Sequence, residues 1–144
     1  MRLRLGVVAL LALFVTMAGC LNSSHRAEID EGVAVATQWE EFVDAKKYDQ
    51  ALALSDNEVM MSFGGPRRFI RDMGQINTIF GKELSRSIRD KSYEQDPKDA
   101  GPGEFVRIHY DSSRELAPKA TELMLIKKQE DGAWKVHKYT IQRD

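Results

Sequence analysis

The chain has 144 residues, 30% of them charged, and a formal net charge of −1. A near-neutral chain carries no basic excess to neutralise phosphates, which argues against a nucleic-acid partner. With one cysteine no disulfide can form within it, so its fold must rest on packing alone.

Arg2 and Arg4 precede an apolar run from Leu5 to Ala18, 14 residues long. A positive start, an apolar middle and small residues before a cut are what a secretory signal requires. The run is shorter than the about 20 apolar residues that cross a bilayer as a helix. Met17-Ala18-Gly19-Cys20 resembles the lipobox of bacterial lipoproteins, with Met17 where that family prefers Leu. The resemblance implies a signal peptide over 1–19, cleavage before Cys20, and a palmitate-class diacylglycerol on the Cys20 sulfur. One acyl chain binds membrane marginally, whereas two or three on one residue hold firmly. Lipoproteins with Asp after the cysteine tend to stay at an inner membrane. Leu21 stands there, which implies the periplasmic face of an outer membrane, or the outer face of the inner or sole membrane. The bland alternative is an ordinary signal peptide with a chance cysteine.

Cleavage would leave 125 residues with 19 basic and 22 acidic side chains, enough for one core. Residues 20–26 read as lipidated Cys and tether, and 27–144 as a single domain. Ile29, Val33, Ala36, Trp39 and Val43 recur at steps of three and four, predicting a helix from Ala27 with a wide apolar stripe. Lys46-Lys47 breaks it. Tyr48 to Leu54 predicts a short second helix, ended by Asp56-Asn57, and Glu58 to Phe63 shows no firm period. Gly64-Gly65-Pro66 resets the chain, since Pro suits the first turn of a helix. Phe69, Met73, Ile76 and Phe80 give a third helix, with Gly81 as its stop.

After Gly81 the pattern turns to strands. Leu84 to Tyr93 alternates imperfectly, and Asp96 to Gly103 must be loop. Phe105 to Tyr110 and Ala120 to Lys128 predict strands. Asp131-Gly132 predicts a hairpin turn into a last strand, Ala133 to Ile141. In that strand Trp134 and Val136 share one face, and Tyr139 and Ile141 the other unless a bulge intervenes. Helices followed by strands predict an α+β fold, with N-terminal helices on one face of a C-terminal antiparallel sheet of about four strands.

Phe80-Gly81, Ser85-Arg86, Tyr93, Gly103-Glu104-Phe105-Val106, His109-Tyr110-Asp111, Glu122, Gly132-Ala133-Trp134-Lys135-Val136 and Tyr139-Thr140-Ile141 resemble the pattern of the domain of unknown function 4019, a bacterial envelope family. The resemblance covers about the last 65 residues, with a looser likeness over Val33 to Leu54. It implies an α+β fold similar to NTF2-like and cystatin-like domains, and no particular chemistry.

Several constellations carry a functional reading beside a bland one. Arg67, Arg68 and Arg71 crowd the start of the third helix, the end of the dipole where acids are preferred. They are an anion or partner contact, or a solvated face. His109 and His137 sit on predicted strands and would bind a metal only if other ligands converged; two solvated sheet-face histidines are the expectation. Arg86 is expected to pair with Glu104 or Asp90. Trp39 and Trp134 are expected in the core. An NTF2-like isomerase or dehydratase would use groups such as Tyr93, Tyr110, Asp111 or Tyr139 inside the cone between helix and sheet.

The sequence thus reads as a membrane-tethered envelope lipoprotein, a non-enzymatic module that binds a protein or small apolar ligand. It assigns no catalytic residue, metal or cofactor, and limits its site assignment to Cys20 for lipidation and Arg67, Arg68 and Arg71 as an anion or partner contact. The alternatives are an NTF2-like enzyme and an accessory of a secretion or assembly machine.

Overall fold

The computed structural model describes residues 24–144. The expected leader, Cys20 and most of the tether lie outside the described residues. The chain forms α1 (Arg26–Asp44), α2 (Tyr48–Ala53), α3 (Asn57–Ser62), α4 (Pro66–Phe80) and then β1 (Glu83–Gln95), β2 (Glu104–Arg114), β3 (Ala117–Lys128) and β4 (Trp134–Arg143). The strands pair antiparallel in the order β1-β2-β3-β4. The fold is α+β, with the helices on one face of the sheet, as the order of periodicities predicts.

The stripe of α1 buries Ile29, Gly32, Ala36, Trp39, Glu40 and Val43. Gly32 is what lets the helix lie close on β2. A Cβ there would stand 2.7 Å from the Cβ of Val106, inside any permitted contact. Trp39, Phe69, Met73, Ile108, Met124 and Ile126 fill the space between the layers. Trp39 is fully buried and donates to Ser55 Oγ at 3.0 Å. Trp134 is also buried, and its indole N–H reaches Glu31 Oε2 at 2.8 Å.

The stretch without firm period is a helix. Asp56 does not merely end α2; it starts α3, its Oδ1 accepting from the Val59 N–H at 2.9 Å. That cap satisfies an orphan amide of the first turn. Just before it, Val136 N–H donates to Leu54 O at 2.8 Å and Asp56 N–H to Val136 O at 2.9 Å, so this segment lies along the outer edge of β4.

Bulges settle the strand faces. Leu125 pairs with Lys138 and Ile126 with Val136, which leaves His137 as the extra residue. One inserted residue flips the alternation, so Tyr139 faces inward with Trp134 and Val136. In β1 two further irregularities, between Glu83 and Ser85 and between Ile88 and Asp90, explain its imperfect period. They put Glu83, Arg86 and Ile88 opposite Arg114, Ser112 and Tyr110.

Candidate functional site

The inward faces of the sheet carry polar residues at the end away from the α1 N-terminus. Glu83 and Arg86 come from β1, Tyr110 and Arg114 from β2, Glu122 from β3 and Tyr139 from β4, and Glu40 of α1 closes over them. Arg86 is the hub. Its Nη1 meets Glu40 Oε2 at 3.0 Å, and its Nη2 meets Glu83 Oε2 at 2.6 Å and Glu122 Oε2 at 3.0 Å. Arg114 Nη2 reaches Glu83 and Glu122, both at 3.4 Å. The Tyr139 hydroxyl donates to Glu122 Oε2 at 2.8 Å. The guanidinium of Arg86 also lies 5.7 Å from the centre of the Tyr110 ring.

This network is buried: Glu122 is fully so, Arg114 is 2% exposed and Glu40 7%. Three carboxyls face two guanidiniums, so full ionisation leaves one uncompensated negative charge in a low-dielectric place. That excess is felt by two of the carboxyls. Burial, then the nearby Glu122, Glu83 and Asp44 charges against the opposing pull of Arg86, push Glu40 up to about 8, and burial raises Glu83 as well against Arg86 and Arg114. Burial would also raise Glu122, but Arg86, Ser112, Arg114 and Tyr139 together hold it below the ordinary carboxylate value. Burial raises Tyr110 and Tyr139, which therefore stay protonated.

Not every polar atom is used. Glu40 Oε1, Arg86 Nε, Arg114 Nε and the Tyr110 hydroxyl are buried without a hydrogen-bond partner. Above Glu40 and Arg86 a cleft of about 320 Å³ opens between α1 and β1, and Glu83, Ile88 and Tyr110 line it with them. Such a concave place with convergent polar groups and a perturbed carboxyl is the strongest candidate site among the described residues.

The residues singled out from sequence fall elsewhere or find other partners. Arg86 pairs with neither Glu104 nor Asp90 as expected. Its side chain points inward, while Glu104 accepts from the Tyr93 hydroxyl at 2.9 Å and pairs with Lys128 at 3.4 Å. Tyr110 and Tyr139 join the network; Tyr93 and Asp111 do not. Asp111 instead takes Arg89 at 3.2 Å on the outer face. Arg67 and Arg68 are exposed, and Arg71 is paired with its neighbour Asp72 at 2.8 Å.

The two strand histidines stay apart. His109 stands opposite Asp90 and Leu123, whereas the bulge presents His137 to α3. There His137 Nδ1 lies 2.6 Å from Asp56 Oδ2 and its Nε2 3.5 Å from Glu58 Oε2. No group of three or more His, Cys, Asp or Glu fit to hold a metal occurs among the described residues.

Glu40, Glu83 and Arg114 escaped sequence reasoning. Two of them left a signal. Glu40 sits four residues after Ala36 and three before Val43, inside the apolar stripe. Arg114 continues the inward parity of Val106, Ile108, Tyr110 and Ser112.

Comparison with known proteins matches residues 35–139 to the family described as "Protein of unknown function (DUF4019)". The chain belongs to that family, and the match runs from the middle of α1 to Tyr139 in β4. No curated protein matches it. A solved structure from Catenulispora Acidiphila, titled only as a 2.5 Ångström structure, is similar with TM-score 0.54 and 9% identity, covering 83% of this chain and 94% of that one. At that identity the likeness is one of fold alone.

Proposed function

We propose that this is a lipid-anchored envelope protein whose domain, NTF2-like in character, binds a ligand or partner rather than turning over a substrate. The observation that carries it is the leader: Arg2, Arg4, the apolar run and Met17-Ala18-Gly19-Cys20. Six steps of chain from Cys20 to the start of α1 span at most roughly 20 Å. A lipidated Cys20 would therefore keep the domain against the membrane, on the periplasmic face of an outer membrane. The interior supports binding over chemistry, because the charges at the cleft floor are already locked to one another. Labelling with a palmitate analogue tests the anchor. The wild type incorporates it and Cys20→Ser does not; equal labelling of both would overturn the anchor.

A second reading, an NTF2-like acid–base enzyme, is favoured by one observation. Glu40 holds a proton up to about pH 8 at the floor of an open cleft, the equipment of a general acid. Turnover of a substrate that Glu40→Gln abolishes would favour this reading over the first.

A further inference from the structure

We propose that the end of the domain bearing the β1–β2 loop and the β3–β4 turn is the surface that meets lipid headgroups, so that the cleft between α1 and β1 opens to the aqueous phase. The inference rests on the lipid anchor proposed above and adds which face that anchor presents.

The place where the chain leaves the domain decides which end. His25, just ahead of α1, stacks on Tyr93 near the end of β1, with ring centres 3.9 Å apart and planes 10° from parallel. Tyr93 is itself held by Glu104 at the start of β2, which accepts from its hydroxyl at 2.9 Å. Within the first two turns of α1, Asp30 pairs with Lys91 at 3.5 Å and Glu31 accepts from the Trp134 indole at 2.8 Å. These contacts fix the start of the helix beside the last residues of β1 and the first residues of β2 and β4. The loop 96–103 and the turn 129–133 therefore flank the exit of the chain.

Lengths decide how far the other end stands off. Five steps from Cys20 to His25 span at most roughly 18 Å, so the exit stays close to any bilayer that holds Cys20. The 19 residues of α1 run about 28 Å from there, to Asp44 beside Glu83 at the cleft. The 13 residues of β1 span about 43 Å, which sets Lys82 that far from the loop. The far end reaches lipid only if the domain lies on its side.

The near end suits headgroups and not hydrocarbon. Asp96, Lys98, Asp99, Glu130 and Asp131 are its exposed charged side chains, and charge is costly inside a bilayer. The exposed large apolar residues Met61, Ile79, Leu84, Ile88 and Leu116 all lie outside the loop and the turn.

The consequence reaches the cleft. Its α1 wall, Thr37 to Asp44, stands about 16–27 Å along the helix beyond Arg26. What enters the cleft then comes from water and not out of the bilayer.

The test uses the full-length lipidated protein in phosphatidylcholine vesicles that carry a nitroxide on some headgroups. Cys20 is the only cysteine and acylation blocks its sulfur, so one introduced thiol takes one fluorophore. Lys98→Cys marks the near end and Lys82→Cys the far end. Expected is strong quenching at position 98 and its loss at position 82, with a Gly-Ser insert after Asn22 reducing the contrast. Equal quenching at both positions, stronger quenching at 82, quenching at neither, or a contrast unmoved by the insert would overturn the proposal. Flotation of the same samples separates the two failures. Protein that floats with the vesicles while Cys20→Ser does not keeps the anchor standing, whereas wild type that stays behind overturns the anchor and the proposal with it.

Discussion

Arg86 on β1 and Glu122 on β3 meet at 3.0 Å although β2 runs between their strands. They reach each other across the inward face of the sheet, past Tyr110 and Ser112. An ion pair this deep is not a surface ornament; breaking one partner leaves the other charge stranded. Arg86→Ala leaves three carboxyls to Arg114 alone, which reaches only Glu83 and Glu122. It should lower stability by about 3–5 kcal/mol, read from urea denaturation at pH 7. A loss below about 1 kcal/mol would mean that the pairs behave like exposed ones.

Glu40 predicts a pH dependence of definite sign. Its folded value lies near 8, above the ordinary 4.5. Between those values the unfolded chain has released a proton that the folded chain keeps. Stability from this group is therefore fully present below 4.5 and is lost as pH rises toward 8. Glu40→Gln removes the dependence. The variant should match the wild type near pH 5 and exceed it in melting temperature at pH 8.5. Parallel curves across that range would contradict the assignment.

At the acid end the sign reverses. Glu122 and Asp56 have folded values below their ordinary ones. Their contribution is present above the ordinary values, 4.5 and 3.8, and is lost as pH falls through the folded ones. Acid unfolding of the wild type should begin below that range and should be blunted in Glu122→Gln, followed by circular dichroism.

Gly32 predicts an exception to helix propensity. Ala is favoured over Gly inside a helix by roughly 1 kcal/mol, so Gly32→Ala would ordinarily stabilise. Here the added methyl meets all three side-chain carbons of Val106 at 2.7–2.9 Å. The variant should be destabilised by about 1–3 kcal/mol from overpacking, and Val106→Ala should relieve part of it in the double variant. Stabilisation by the single change would show that α1 does not lie so close to β2.

Much of the fold was legible because periodicity reports burial. The stripe of α1, Pro66 and Gly81 around α4 and Asp131-Gly132 before β4 each marked their element. Gly81 stops α4 with φ 76°, and a Cβ there would strike Glu115. Glu58 to Phe63 was not legible, because a helix of six residues shows too little periodicity; its signal was the capping Asp56. The face of Tyr139 hung on a bulge at His137, which alternation alone cannot locate. The site was hidden for a related reason. Patterning marks apolar residues as interior, so Glu40 within an apolar stripe reads as an interruption, and the partners of Arg86 depend on register between strands far apart in sequence.

The proposed anchor is a set of acyl chains at Cys20 that would hold this domain beside lipid. Mass spectrometry of the N-terminal peptide from membranes of the native host reads it without intermediaries. Expected is a chain beginning at Cys20 and carrying the mass of a diacylglycerol, with or without a third acyl group. An intact leader, or an unmodified Cys20 thiol, would contradict it.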